Sequence, residues 1–186
     1  MAVFASGAGS NAQKIIDHFS TTDKRGEVAL IVCNKAEAGV LQIAEKEKIP
    51  TLITDKERFL RGDGFIPVLK SYKVDLIVLA GFLWKIPQLL IDVYPRRIIN
   101  LHPALLPKYG GKGMYGVFVH KAVLSAGEAE TGITIHYVDE HYDHGDIIFQ
   151  AKCIVQDDNV ESLAKKIQTL EHQYYPVIIE KVLKTL

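Results

Sequence analysis

"VDLIVLAG", residues 74–81, runs Leu76, Ile77, Val78, Leu79 and Ala80 without a polar break. A strand with one wet face alternates polar and apolar side chains, and an amphipathic helix repeats its apolar positions every three to four residues. A short run with neither period, ended by Gly81, reads as a strand buried on both faces. Strands of that kind belong to parallel sheets with helices on either side.

Similar units lie on both sides of this strand. Upstream, "AVFA" (2–5) leads through "SGAGSN" (6–11) into a helical "QKIIDHF" (13–19). "EVALIVCN" (27–34) precedes a helical 36–48, and "PTLIT" (50–54) precedes a helical stretch from Asp55 to Tyr72. Downstream, a short helix near "IPQLLIDVY" (86–94) leads to "RIINLHP" (97–103). Strands alternating with helices give a doubly wound α/β fold with a mostly parallel sheet. The last third differs. "GITIHYVDE" (132–140) alternates apolar and polar residues, and "DIIFQAKCIV" (146–155) follows a turn at "HYDHGD", so the two read as an antiparallel pair. A long final helix is expected from Asn159 to Lys184. No repeat or linker divides the chain, and 1–186 reads as a single domain.

The 186 residues carry 22 Lys+Arg against 22 Asp+Glu. That balance gives no general pull toward nucleic acid or an anionic membrane, so any anion site must be local. No run approaches the ~18 apolar residues of a membrane span, and no signal peptide is visible. Cys33 and Cys153 are the two cysteines. They form no disulfide framework and no cysteine–histidine zinc spacing, and reduced thiols suit a cytoplasmic protein.

Ligands of open α/β sheets bind beyond the carboxyl ends of the strands, where strand order reverses. Three strand ends carry unusual residues. In "SGAGSN", Gly7 and Gly9 permit a tight turn into a helix whose first N–H groups can hold a phosphate, with Ser10 or Asn11 adding a side-chain donor. The alternative is a plain strand-to-helix turn capped by Ser or Asn. The third glycine of a dinucleotide loop is missing, and Asn34 stands where an acidic residue would be wanted. In "INLHP", Asn100 and His102 project to one side because strand side chains alternate, and Pro103 ends the strand. An amide and an imidazolium are both donors, and two donors converging on one point suit a developing oxyanion. A carboxylate near His102 would orient the ring. The loop 138–146 offers Asp139, Glu140, Asp143 and Asp146, and the pattern alone does not choose among them. His136 reads as a structural strand residue. His18, His120 and His172 lie on helical patterns.

Together "ASGAGSN", "NKAEAGVLQIA", "DLIVLAGFLWKI", "INLHPALLPKYGG", "TGITIHYVDEHYDHGDII" and "QTLEHQYYP" resemble the phosphoribosylglycinamide formyltransferases, folate-dependent enzymes of purine synthesis. The resemblance runs in order from Ser6 to about Pro176. It implies a Rossmann-like formyltransferase fold and formyl transfer from 10-formyltetrahydrofolate to the glycinamide amine of a 5-phosphoribosyl substrate. Asn100, His102 and Asp143 match the catalytic trio, and this match selects Asp143 from the four acidic candidates. Gly9, Ser10 and Asn11 match the loop that holds the ribonucleotide phosphate, with Gln168 and Glu171 as further substrate contacts. Leu83, Trp84, Lys85 and Ile86 match the folate-contacting segment, to which Asn100 also belongs. Arg58 falls at a folate-contacting arginine position, with Lys56 as the neighbouring alternative. "KYGGKGMYGVFVH" is longer than the simpler "KYPG" pattern, and His144 stands where glycine is frequent.

The expected chemistry has Asn100 and a protonated His102 donating to the oxyanion while Asp143 keeps the ring charged. No metal is expected to take part. The expected partners are small molecules, with neither nucleic acid nor membrane, and the chain is expected to act as a monomer or homodimer. Other formyltetrahydrofolate users, a transferase acting on tRNA or a deformylase, remain alternatives. So does a non-enzymatic nucleotide-binding module, in which Asn100 and His102 have no role.

Overall fold

A computed structural model describes residues 1–21, 25–62 and 64–186. Seven strands form one sheet: β1 (Ala2–Ala5), β2 (Leu30–Cys33), β3 (Thr51–Ile53), β4 (Ile77–Leu79), β5 (Ile98–His102), β6 (Glu130–Tyr137) and β7 (Ile147–Ile154). Their order is β3-β2-β1-β4-β5-β6-β7. The first five pair in parallel. β6 runs antiparallel to β5, and β7 antiparallel to β6, so the expected C-terminal pair extends the sheet. Strand order reverses between β1 and β4, which opens a crevice beyond their carboxyl ends.

The period-two alternation of each strand divides the core. Val3, Ala5, Ile31, Cys33, Val78, Ile99, Leu101, Ile133 and Ile135 pack beneath α1 (Ser10–Ser20) and α7 (Val160–Leu183). Phe4, Leu30, Val32, Ile77, Leu79 and Ile98 face the other way, with Phe59, Phe65, Leu69 and Leu90. Those four lie on or beside α3 (Lys56–Arg61), α4 (Ile66–Ser71) and α5 (Gln88–Val93). β4 is buried along its whole length, as its unbroken apolar run requires.

The helical stretch expected over 55–72 is two helices. Gly62, at φ 73, closes α3 by donating its N–H to the Arg58 carbonyl, and Pro67 lies in the first turn of α4. A left-handed residue ends a helix and proline suits the start of the next, so the break has a sequence cause. Asp63, between them, lies outside the described residues. α2 (Gly39–Lys46) is shorter than expected, and α6 (Val117–Ser125) carries the helical pattern around His120.

α7 begins with a reciprocal capping box between Asn159 and Ser162. Its Tyr175 is fully buried, and the phenolic O–H donates to the Leu79 carbonyl at 2.9 Å and the Ile99 carbonyl at 3.4 Å. The last helix is thereby fastened to the end of β4, at Leu79, and to the first half of β5, at Ile99. Among the described residues no helix is long and apolar enough to cross a membrane.

Candidate active site

β5 and β6 build the floor of the site. Asn100 and His102 continue the Ile98 face of β5, which α3–α5 cover only as far as the strand's start. Antiparallel pairing sets His136 opposite Asn100 and Thr134 opposite His102. All four side chains therefore share one face. Loops rather than helices close over them.

The first loop returns from β6. Tyr137 N–H bonds to the Asp146 carbonyl, and Gly145 lies so close to Tyr137 that a Cβ would overlap the Tyr137 carbonyl. Asp143 adopts φ 54 in this tight return. Its carboxylate is thereby turned inward: Oδ1 accepts from Asn100 Nδ2 at 3.3 Å, Oδ2 accepts from Gly111 N–H at 3.0 Å, and Oδ2 stands 3.5 Å from His102 Nδ1. The second loop spans 108–116. Its Tyr109 carbonyl lies 2.8 Å from His102 Nε2. The Pro103–Pro107 segment is held by Thr134, whose hydroxyl donates to the Ala104 carbonyl at 2.6 Å and accepts from Leu106 N–H at 3.0 Å.

These contacts fix proton positions. A carbonyl can only accept, so His136 carries its proton on Nδ1, 2.7 Å from the Tyr137 carbonyl, and its Nε2 accepts from Asn100 Nδ2 at 3.1 Å. By the same logic His102 carries a proton on Nε2, toward Tyr109, and its Nδ1 faces Asp143. Both N–H bonds of Asn100 and the Nε2–H of His102 thus already have protein acceptors.

Burial lowers the His102 pKa and outweighs the Asp143 charge that would raise it. Burial pushes the Asp143 carboxyl upward, but the neighbouring His136 and His102 rings and the Gly111 N–H together hold it below the usual range. Asp143 is thereby held as a carboxylate, while burial works against a charge on the His102 ring. The protonated His102 expected from sequence has to overcome that burial, because a side chain only 3% exposed has lost the water that would support its charge.

One cavity of about 810 Å³ joins this floor to the crevice at the strand reversal. Asn100, His102, Asp143 and His136 line it, as do Asn11 after β1, Leu83, Trp84, Lys85 and Ile86 after β4, and Gln168 and Glu171 on α7. Leu83 N–H bonds to Ser6 Oγ at 3.3 Å, which ties the ends of β1 and β4 together. Trp84 packs tilted on Phe59 and edge-on to Phe82, with ring centres 5.6 and 5.9 Å apart, and forms part of an apolar wall.

At the start of α1, Gly9 has φ 83, and a Cβ there would come within 2.9 Å of the Val40 backbone. Glycine is required for this helix start to pack against that of α2. Asn11 Nδ2 donates to Glu171 Oε2 at 2.8 Å, and Gln168 Nε2 approaches Ser10 Oγ at 3.4 Å. Asn11 Oδ1 is buried and, among the described residues, has no hydrogen-bond partner. Burial raises the Glu171 pKa, against a smaller lowering by Asn11.

The structure thus gathers Asn100, His102, Asp143, Asn11, Gln168, Glu171 and residues 83–86 around one space, with Gly9 and Ser10 beside it. Arg58 lies outside the cavity wall, exposed on α3, with its N–H capped by Asp55. Lys56 is exposed on the same helix and is likewise not part of the wall. Sequence reasoning undervalued His136, which the alternation of "ITIHY" already set on one face with Thr134. It also undervalued His120, which is buried and lines the cavity, and whose pKa burial lowers.

Comparison with known proteins adds a second line. The formyl transferase family model matches residues 1–179. The chloroplastic phosphoribosylglycinamide formyltransferase of Arabidopsis thaliana is 43% identical over 185 residues, a match that covers 96% of this chain and 63% of that protein. The chain therefore spans less than two thirds of that relative's length. The Bacillus subtilis phosphoribosylglycinamide formyltransferase is 36% identical over 187 residues, covering 98% of this chain and 93% of that one. Among solved structures, the phosphoribosylglycinamide formyltransferase of Bacillus halodurans superposes with a TM-score of 0.90 at 35% identity, covering 98% of this chain and 94% of that one.

Proposed function

Because the chain belongs to the formyl transferase family, we propose that it moves the formyl group of 10-formyltetrahydrofolate to the glycinamide amine of 5-phosphoribosylglycinamide. The products are formylglycinamide ribonucleotide and tetrahydrofolate, in purine synthesis. The observation that carries this reading is the meeting of Asn100, His102 and Asp143 on the floor of a cavity that Asn11, Gln168 and Glu171 also line.

The volume lies within the ~300–1,000 Å³ usual for small-molecule sites. Leu83, Trp84 and Ile86 supply an apolar wall for the folate ring, and Lys85 stands beside it. The α1 start, with Gly9, Ser10 and Asn11, presents backbone N–H groups and a positive helix end to the phosphate. Gln168 and Glu171 offer polar contacts to the ribose and glycinamide portion.

In the reaction the amine lone pair forms a bond to the formyl carbon, and the carbonyl π pair moves onto oxygen. Asn100 Nδ2 donates to that oxygen. Its 3.3 Å contact with Asp143 is the longer of its two bonds and the one a charged oxygen would displace. The proton lost by the amine goes to the His102–Asp143 pair, which acts as a unit because an ionised carboxylate faces a ring nitrogen without a proton. The oxygen's pair then re-forms the carbonyl as the carbon–nitrogen bond to folate breaks; that bond's electron pair stays on the folate nitrogen, which takes the proton held by the His102–Asp143 pair. This reading has the chain acting in the cytoplasm as a monomer or homodimer, with no metal in the chemical step.

Release of tetrahydrofolate from 10-formyltetrahydrofolate, followed by absorbance with and without glycinamide ribonucleotide, tests the assignment. Product only when the ribonucleotide is present is expected. Product without it would make the chain a deformylase, and no product in either case would overturn the reading.

A further inference from the structure

The β6–β7 return presents two faces. Asp143 points inward to Asn100 and His102, while Asp139, His141 and His144 gather on the outside. One ligand-type atom from each of these three lies within 4.8 Å of the other two. His144 Nδ1 stands 3.7 Å from Asp139 Oδ2, and the two imidazole centres are 5.6 Å apart. We propose that Asp139, His141 and His144 form a three-ligand site for a divalent transition cation of the zinc class, beside the cavity mouth that Asp139 and His141 help to line.

The donor set suits such an ion. Two neutral imidazoles and one carboxylate are the ligands of three-coordinate protein sites that leave a further position to water. Bonds of ~2.0–2.1 Å in a tetrahedron put ligand atoms roughly 3.3 Å apart, so the observed spacing closes by side-chain rotation with the backbone fixed. The carboxylate is already oriented. Asp139 Oδ1 accepts from the His141 N–H at 2.8 Å, which leaves Oδ2 turned to His144. Outer hydrogen bonds of this kind hold a ligand in its binding pose.

The backbone is also held. Asp143 is in the left-handed region, Gly145 abuts the Tyr137 carbonyl, and Asp146 is paired with Arg96, whose guanidinium lies 4.4 Å over the Tyr137 ring. The exposed rings of His141 and His144, 67% and 79% accessible, lose little solvation on taking an ion. Glu140, 3.8 Å from His141 Nδ1, adds negative charge nearby. A calcium-type site would need more oxygen ligands than one carboxylate supplies.

Titration of the chelator-stripped full chain with Co²⁺, followed by its visible absorption, and with Zn²⁺ against a chromogenic chelator tests the site. A single equivalent is expected, with the absorption of a four- or five-coordinate nitrogen–oxygen site. His144→Gln and His141→Gln, each on an exposed side chain, should weaken binding at least about tenfold. Thermal unfolding of both variants should match the parent chain. Absence of binding by the parent chain overturns the proposal. So does equal binding by the parent and both variants, which would assign the ion to other donors such as His102, His136 and Asp143.

Discussion

Asn100 is held by two acceptors on opposite sides, Asp143 Oδ1 and His136 Nε2, so its amide is aimed before any substrate arrives. Loss of a preorganised oxyanion donor costs roughly 2.7–4 kcal/mol in the transition state. Asn100→Ala should therefore lower kcat by about two to three decades with little change in KM for the ribonucleotide. Steady-state kinetics with both substrates check this, and near-normal turnover would remove Asn100 from the chemistry. His102 gives a pH expectation. Its folded pKa lies below the ordinary ~6.5 because burial disfavours the cation, and the groups facing it are Asp143, His136 and the Tyr109 carbonyl. Above that pKa the ring is neutral and can share the amine's proton, and below it the acceptor is already filled. The kcat profile should show an acid limb with its midpoint below 6.5 and a flat region above. Stability has the same sign: a depressed histidine pKa destabilises the fold as pH falls below the unfolded value. An activity that rose on acidification would reverse the assignment. At this scale the sequence made Asn100 and His102 visible through strand alternation. It could not reveal the burial of His102, because that depends on how loops 108–116 and 138–146 fold back over the ring.

The β6–β7 return owes its shape to Gly145. Gly145→Ala would drive a Cβ into the Tyr137 carbonyl, forcing the loop outward and Asp143 with it. The expected result is a loss of kcat well beyond any loss of thermal stability, read from kinetics and unfolding on the same preparation. Matching losses in both would mean that the glycine serves folding alone. Tyr175→Phe tests the fastening of α7. It deletes a buried O–H that bonds two strand carbonyls, at a cost of about 1–3 kcal/mol. For a chain of this size that lowers Tm by roughly 2–4 °C per kcal/mol, measured by calorimetry. The elements themselves were legible where patterning was strong: β4 from its unbroken apolar run, α7 from its length and Asn159 cap. The helical stretch 55–72 hid its break because Gly62 and Pro67 stand within an otherwise helical pattern, and the identity of the residues does not say whether a glycine ends a helix or sits within one. The side to which β6 attaches also lay beyond the sequence, since alternation predicts an edge-type strand but names no partner.

Across the whole molecule, seven strands and their covering helices place three strand ends around one cavity, and with the charge balanced any anion site must be local, as the phosphate site proposed at the α1 start would be. The chemical step needs no metal on this view, so formyl transfer should persist in excess chelator. Strict dependence on a divalent ion would contradict it. The exposed His141–His144 turn makes this measurement informative, because the metal site proposed there uses none of Asn100, His102 and Asp143. The overall α/β class followed from strand–helix alternation, and most of the site from strand-end polarity together with the family resemblance. Arg58 illustrates the remainder: its position came from counting along the chain, and it is exposed on α3 and not part of the cavity wall. The main-chain oxygen of Tyr109 plugs His102 Nε2 at 2.8 Å. While loop 108–116 keeps that position, the ring's N–H is spent within the protein and its orientation is locked, with Nδ1 directed at Asp143. Under the proposed function, this anchor fixes the tautomer in which Nδ1, beside Asp143, is the nitrogen left to take the amine's proton.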